Sequence, residues 1–354
     1  MLRKLYLFTF LLTTQSYLIA QEDSTEKKSS FTFTGFVDGY FRSDLAGNLS
    51  NNRTSFTNST GKLALGMISI KGDYTVGKFS FTADLGYGKR ATEFAYNDKG
   101  VLAYVKQLYA SFAASDWLKI TAGSWATHVG YELVDPYANR NYSMSYMFSY
   151  GPFLHTGAKA DLTFGGTGIM IGVANPTDYR KSPTPNKKSL LLQVSQVINE
   201  NVKLYLNYVG GQRPTDYAKT RQVDMVLTAK ASDKFNIGVN GTITSVQIKS
   251  GNAYQAGKTW SGLAGYFNYD PKETIGITLR SEVFNDVNQL AALGTASKGA
   301  SIFANTLSTN IKLKKFTIIP EYRLETANQG VFYNKAGNGR KSASNFLVAA
   351  YFKL

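Results

Sequence analysis

Few side chains in this 354-residue chain are spaced to do covalent chemistry. Histidine occurs twice, as His128 and His155, and cysteine not at all. A zinc site would have to rest on carboxylates and loop closure, without the nitrogen and sulfur ligands that zinc favours. His155 could serve a membrane lipid hydrolase only from a lipid-facing position beside a serine. It alternates instead with Leu154 and Leu162, which sets it on the opposite face, and Gly157 two residues on is no nucleophile. Gly251 to Thr259 comes near a phosphate-binding loop. Five residues separate its glycines where the motif has four, and a strand pattern follows where a helix N-terminus is needed. Carboxylates are better represented. Glu282, Glu321 and Glu325 share polar strand faces with Arg280, Arg323 and Lys312. A glycosidase would need two carboxylates held at a defined separation across a substrate. A solvated ladder of charge on an inner wall explains the same residues without one. No catalytic, cofactor-binding or metal-binding residue is assigned, no cofactor is expected, and the chain is not read as an enzyme.

The elements that carry these residues are strands. From about residue 31 to the last residue, apolar and polar side chains alternate, which sends successive residues to opposite faces. Phe79, Phe81, Ala83, Leu85 and Tyr87 share one face, and Ser80, Thr82, Asp84 and Gly86 the other. Sixteen strands are expected, near 31–42, 61–74, 78–88, 102–113, 117–126, 153–164, 167–175, 188–198, 202–210, 220–231, 235–246, 259–269, 274–285, 300–312, 316–325 and 343–354. Seven connections are tight and rich in turn formers, such as Gly165-Gly166 and Asn199-Glu200-Asn201. Eight are longer, and the two kinds alternate without exception. A soluble β-sandwich has no reason to sort its connections so. Outer-membrane barrels do, with short periplasmic turns and long external loops. The expected fold is all-β: a closed antiparallel transmembrane β-barrel of about 16 strands over residues 31–354, in the outer membrane, with both termini periplasmic.

Composition agrees with strands that meet lipid on one face. Aromatic residues make up 14% of the chain, yet its mean hydropathy is −0.20. A helical membrane protein would need stretches of about 20 apolar residues. At the start, Arg3 and Lys4 precede an uncharged, mostly apolar run from Leu5 to Ala20. Residues 1–20 therefore read as a signal peptide cleaved after Ala20, and 21–30 as a polar spacer. That spacer is far too short for the plug domain of an energy-coupled transporter. The formal net charge is +15, lowered by two when Arg3 and Lys4 leave. No Lys/Arg block or helix-turn-helix pattern points to nucleic acid, and none is expected as a partner. On an exported barrel, basic residues suit anionic lipid headgroups, those of lipopolysaccharide included, or an anion-attracting lumen.

Alternation also assigns the inner wall. Its bases are Arg42, Lys106, Lys119, Lys159, Lys203, Lys230, Arg280, Lys312 and Arg323. Its acids are Asp38, Asp84, Asp161, Asp224, Glu282, Glu321 and Glu325. The small excess of bases favours a weak anion preference. The longest connection runs from Thr127 to Pro152 and carries Glu132, Asp135, Tyr137, Arg140, Tyr142 and Tyr146. Its aromatic content argues against disorder, and it is expected to fold inward as a constriction. An external loop or a contact with a neighbouring subunit, as in a homotrimer, is the alternative. Tyr87, Trp117, Trp125, Trp260, Tyr266, Tyr351 and Phe352 are read as an interfacial girdle. Tyr40 or Tyr205 could stack a sugar in the lumen.

Four passages resemble the beta-barrel porin-2, or OmpL-like, family. They are Gly35 to Tyr40, Gly72 to Tyr74, Ala122 to Trp125 leading to Val129 to Glu132, and Asn139 to Ser143 through to Gly157. The layout is also similar to that of bacterial general porins, in which the loop after the fifth strand narrows the pore. The resemblance implies a pore-forming outer-membrane protein through which small hydrophilic solutes or ions diffuse passively. It supplies no catalytic residues. The alternative reading is a non-conducting structural or adhesive barrel that displays its loops for binding.

Overall fold

The computed structural model describes residues 29–354, apart from Ser182, Pro183, Pro185 and Asn186. The expected signal peptide, 1–20, and most of the expected spacer, 21–30, lie outside the described residues. Sixteen strands form one closed barrel in which each pairs antiparallel with the next. They are β1 (Ser29–Asp44), β2 (Leu63–Val76), β3 (Phe79–Tyr87), β4 (Val105–Ser115), β5 (Leu118–Ala126), β6 (Leu154–Phe164), β7 (Thr167–Ala174) and β8 (Ser189–Asn199). Then follow β9 (Val202–Gln212), β10 (Lys219–Lys230), β11 (Phe235–Gln247), β12 (Lys258–Lys272), β13 (Ile275–Asn285), β14 (Ser301–Leu313), β15 (Phe316–Ala327) and β16 (Ser342–Lys353). β1 closes the ring on β16, through pairs such as Phe41 with Val348. These bounds follow the alternation closely. The fourth strand starts later than expected, because residues Gly100–Tyr104 form a 3-10 turn that opens on Gly100 at φ +62°.

Tight turns and long loops sort to opposite ends of the barrel. Gly77 and Gly165 open their turns at φ +55° and +58°, where a side chain would be strained. Lys314 takes φ +57° at the equivalent turn between β14 and β15. Both Ser29 and Leu354 lie on the tight-turn edge, as an even number of strands requires.

The outward faces are apolar and exposed on strand after strand, for example at Leu108, Ile120, Val194, Leu206, Val223, Ile243, Leu263, Val283 and Leu307. Such a continuous apolar band is unstable against water and is covered by the hydrocarbon core of a bilayer. Aromatic pairs mark its borders. Trp117 stacks on Phe164 and Phe79 meets Phe112 toward the tight turns, while Tyr87 stacks on Tyr104 toward the long loops. Trp125, Trp260 and Tyr266 do not belong to this girdle. They are 6%, 4% and 2% exposed and point into the barrel, and Tyr351 likewise faces inward with Leu347 and Ala349. Nearness to a strand end suggested the interface, but parity decides the face: Trp125 shares its side of β5 with Thr121 and Lys119. The packed core of this protein lies inside the barrel, built where loops fold down onto the inner wall.

Candidate functional site

The connection 127–152 lies inside the barrel and is fastened to the wall along its whole length. His128 approaches the Tyr208 carbonyl at 3.4 Å, and the Gly130 amide donates to Asp224. Tyr131 stacks on Tyr266 with 4.1 Å between ring centroids. Glu132 meets the Arg280 guanidinium at 2.5 Å. The chain then swings to the far wall, where Asp135 meets Lys106 at 2.6 Å and Tyr137 packs edge-on against Phe36. Arg140 returns to a two-pronged pair with Asp270.

From Asn141 to Phe148 the loop buries completely. Glu321 accepts from the Tyr142 and Ser143 amides, and the Tyr142 hydroxyl donates to Asp38. Glu132 accepts from both the amide and the hydroxyl of Ser145, which in turn caps the short helix α1 (Tyr146–Tyr150). Tyr146 donates its amide to Glu282 and its hydroxyl to Glu325. Burial pushes the Tyr142 and Tyr146 hydroxyls well above the usual range, which keeps both as donors. Arg280 also donates to the Ser143 carbonyl at 2.7 Å, and Arg323 joins the Met144 carbonyl at 3.0 Å to Glu282 and Glu325 at 3.0 Å each. Arg280 and Arg323 are thus paired with Glu132, Glu282 and Glu325, and Glu321 is met by amide and hydroxyl donors, the conditions under which buried charge is tolerated.

The wall makes room for the loop with glycine. A Cβ on Gly262 would stand 2.5 Å from Met147, and one on Gly238 would stand 2.5 Å from Tyr131. Other loops close over the same half of the barrel. Phe56 from the first loop and Phe94 from the second pack with Val134, Met144, Phe148 and Phe153. Arg90 donates to the Val134 carbonyl and lies 4.6 Å over the Tyr142 ring. Ala292, Leu293, Val331 and Phe332 from the last two loops complete a second cluster around Tyr146 and Trp260.

The charge ladder expected on the wall is therefore not solvated. Arg42, Lys106, Arg280 and Arg323 face inward but are no more than 3% exposed, and so are Asp38, Asp84, Asp224, Glu282, Glu321 and Glu325. Most of these side chains hold the loop instead of lining water, while Arg42 pairs with Asp44 at 3.6 Å and Asp84 with Lys106 at 3.1 Å. Lys119, Lys159, Lys203, Lys230 and Lys312 remain accessible, and of the acids Asp161 alone does, 3.1 Å from Lys159. All five lysines belong to the tight-turn half of the lumen. Alternation also adds the pair Lys71 and Asp73, 2.9 Å apart, and Lys353, which lies 4.1 Å over the Tyr137 ring.

His155 points inward beneath the loop and is tied to Thr127 at 3.1 Å. Its ring is 5.2 Å from that of His128. Burial lowers His128 to about 4, so its ring is neutral at physiological pH. Tyr40 is buried under Tyr142, which removes it as a sugar platform.

A family model, Putative beta-barrel porin-2, OmpL-like, matches residues 30–354. The chain belongs to this porin family. It is a porin-type β-barrel of the outer membrane. No curated protein matches it significantly in sequence. Among solved structures it is similar to in-vitro folded OmpT of Vibrio cholerae, at TM-score 0.62 and 12% identity over 92% of this chain and 98% of that one. It is similar also to the outer membrane channel DcaP of Acinetobacter baumannii, at TM-score 0.62 and 12% identity over 93% and 99%. An anion-selective porin from Comamonas acidovorans aligns at TM-score 0.61 and 10% identity over 92% and 100%.

Several parts of the porin's interior carry no clear mark in the sequence. Asp178 accepts from the Phe153 and Leu154 amides and from the Tyr96 hydroxyl, so it ties the end of loop 127–152 to two other loops. Burial raises its carboxyl to about 6. Arg180 pairs with Asp98 at 2.7 Å, and Arg90 stands 3.7 Å from Asp38. Except for Asp38 on β1, all lie in loops, where alternation gives no parity to read. Only the density of aromatic and charged residues hints that these loops are packed.

Proposed function

We propose that this porin is a passive diffusion pore for small hydrophilic solutes and ions, narrowed by loop 127–152 and weakly selective for anions. Glu132, Asp135, Tyr137, Arg140, Tyr142 and Tyr146 hold the constriction in place. Lys119, Lys159 and Asp161 line the aqueous path, Lys106, Arg280, Glu282, Glu321 and Arg323 anchor the loop, and Arg42 is buried beside Asp44. The sorting of charge by burial carries the anion preference. The inner-wall acids are spent on the loop, and the charge left in contact with lumen water is mainly lysine. Accessible rings of one sign set selectivity by position. No covalent step, cofactor or energy coupling enters this mechanism.

The tight turns and both termini face the periplasm in this reading, and the long loops face outward. Lys188, Lys219 and Arg221 continue the lipid-facing parity of Leu190 and Val223 beyond the apolar band and are exposed. They meet the phosphates of lipopolysaccharide at the headgroup level. The deciding measurement is the reversal potential of purified, folded protein in planar bilayers under a potassium chloride gradient. The expected sign is that of chloride preference. A clear cation preference would overturn the selectivity reading, and silence in the bilayer would favour a closed, loop-displaying barrel.

A further inference from the structure

Among the described residues the loops leave a vestibule over β8 to β12, a cavity of about 360 Å³ at the long-loop end. That size falls within the range of small-ligand sites. Gln222, Thr244 and Trp260 stand side by side across three neighbouring strands, because Gln222 pairs with Thr244 and Thr244 with Trp260. The row thus presents an amide, a hydroxyl and an indole to the same cavity. The Gln222 amide nitrogen donates to Thr242 at 3.0 Å, which leaves its oxygen as an acceptor toward the cavity. The Thr244 hydroxyl is buried and has no hydrogen-bond partner among the described residues. A buried hydroxyl without a partner costs free energy unless a solute or water meets it.

The opposite side of the cavity is aromatic. Tyr150 donates its hydroxyl to the Arg53 carbonyl and Tyr96 donates to Asp178, so both contribute their rings to the lining. The charges around it are already spent. Asp178 accepts from two amides and a phenol, and Arg213 pairs with Asp216 at 2.8 Å. Neutral hydrogen-bonding groups facing aromatic rings, with no unpaired charge, match a solute that has hydroxyl groups on its edge and C–H groups on its faces.

We infer that the vestibule is a binding site for neutral, polyhydroxylated solutes of one or two sugar rings, held between the Gln222–Thr244–Trp260 row and the Tyr96 and Tyr150 rings. The site's role in uptake rests on the channel reading above, whereas its existence rests on this geometry alone. The test is calorimetric titration of the detergent-folded protein with maltose and, separately, with glucose 6-phosphate, alongside bilayer conductance of the same preparation. Saturable maltose binding in the millimolar range, at least tenfold tighter than glucose 6-phosphate, is expected. Gln222→Leu and the near-isosteric Thr244→Val should each weaken maltose binding about tenfold, with barrel folding checked by the heat-induced mobility shift in electrophoresis. Absence of saturable maltose binding, preference for the phosphate, or unchanged binding in both folded variants would overturn the site. Conductance without maltose binding sinks this inference and spares the channel. Binding without conductance sinks the channel reading and spares the site.

Discussion

At the scale of single residues, the interior depends on charges that would be untenable alone. Arg280 is fully buried between Glu132 and Glu282 and holds two loop carbonyls. Removing one partner of such a buried network costs on the order of 3–5 kcal/mol, because the remaining carboxylates lose their counter-charge. Arg280→Met should therefore lower the unfolding free energy in urea by roughly that amount. It should also expose Tyr142 to Tyr150 to proteolysis. A variant as protease-resistant as the parent would show that the loop does not need this anchor. His128 gives a second prediction, with a sign fixed by its lowered pKa. The folded state holds it neutral down to about 4, while an unfolded histidine takes up a proton near its ordinary 6.5. Its contribution to stability is thus complete above about 6.5 and is lost as pH falls toward 4. His155, Lys159 and Asp161 face the same region. Fluorescence of Trp125, which packs on Val129, should report loosening of the loop's first turn across that window. His128→Gln should flatten the response, and an unaltered profile would assign it to another group.

At the scale of elements, the strands and the loops obey different rules. A strand carries its face in its parity, so sixteen strands, their order and most inward residues could be read from alternation and turn chemistry. Loop 127–152 has no such parity. Its aromatics pointed to an ordered, inward loop, but its partners could not be named, because Glu132 with Arg280 and Arg140 with Asp270 are joined across more than a hundred residues. The same gap made the wall charges look solvated, since parity tells which side a residue faces and not what covers it. The inner glycines are the cue that was available. Gly238, Gly262 and Gly276 stand on inward positions where the loop presses closest. If the loop sets the pore's width, deleting Glu132 to Ser149 should raise single-channel conductance about twofold or more. Gly262→Leu should act in the same direction by displacing Met147 and α1, with the barrel itself unchanged. Conductance equal to that of the parent in both would mean that the narrowest point lies elsewhere.

At the scale of the whole molecule, burial converts a nearly balanced wall into a basic one. The chain is strongly cationic, but charge on the outer loops sits far from the path of an ion and is screened. The accessible lumen lysines lie toward the tight-turn mouth, where Lys119 stands on β5 and Lys203 and Lys230 on the neighbouring strands β9 and β10, Lys230 beside Asp233 at 2.7 Å. Such basic groups attract anions through water, so their reach is set by the Debye length, about 10 Å at 0.1 M salt and about 3 Å at 1 M. Chloride preference should therefore be clear near 0.1 M and decline toward equality near 1 M. The combined change of Lys119, Lys203 and Lys230 to Gln should remove most of it at the lower salt without altering heat stability, since these side chains are exposed. Selectivity that holds at 1 M, or that survives the triple variant, would point instead to charges close to the ion at the constriction. Arg140, part-exposed beside Asp270, would then be the residue to neutralise next.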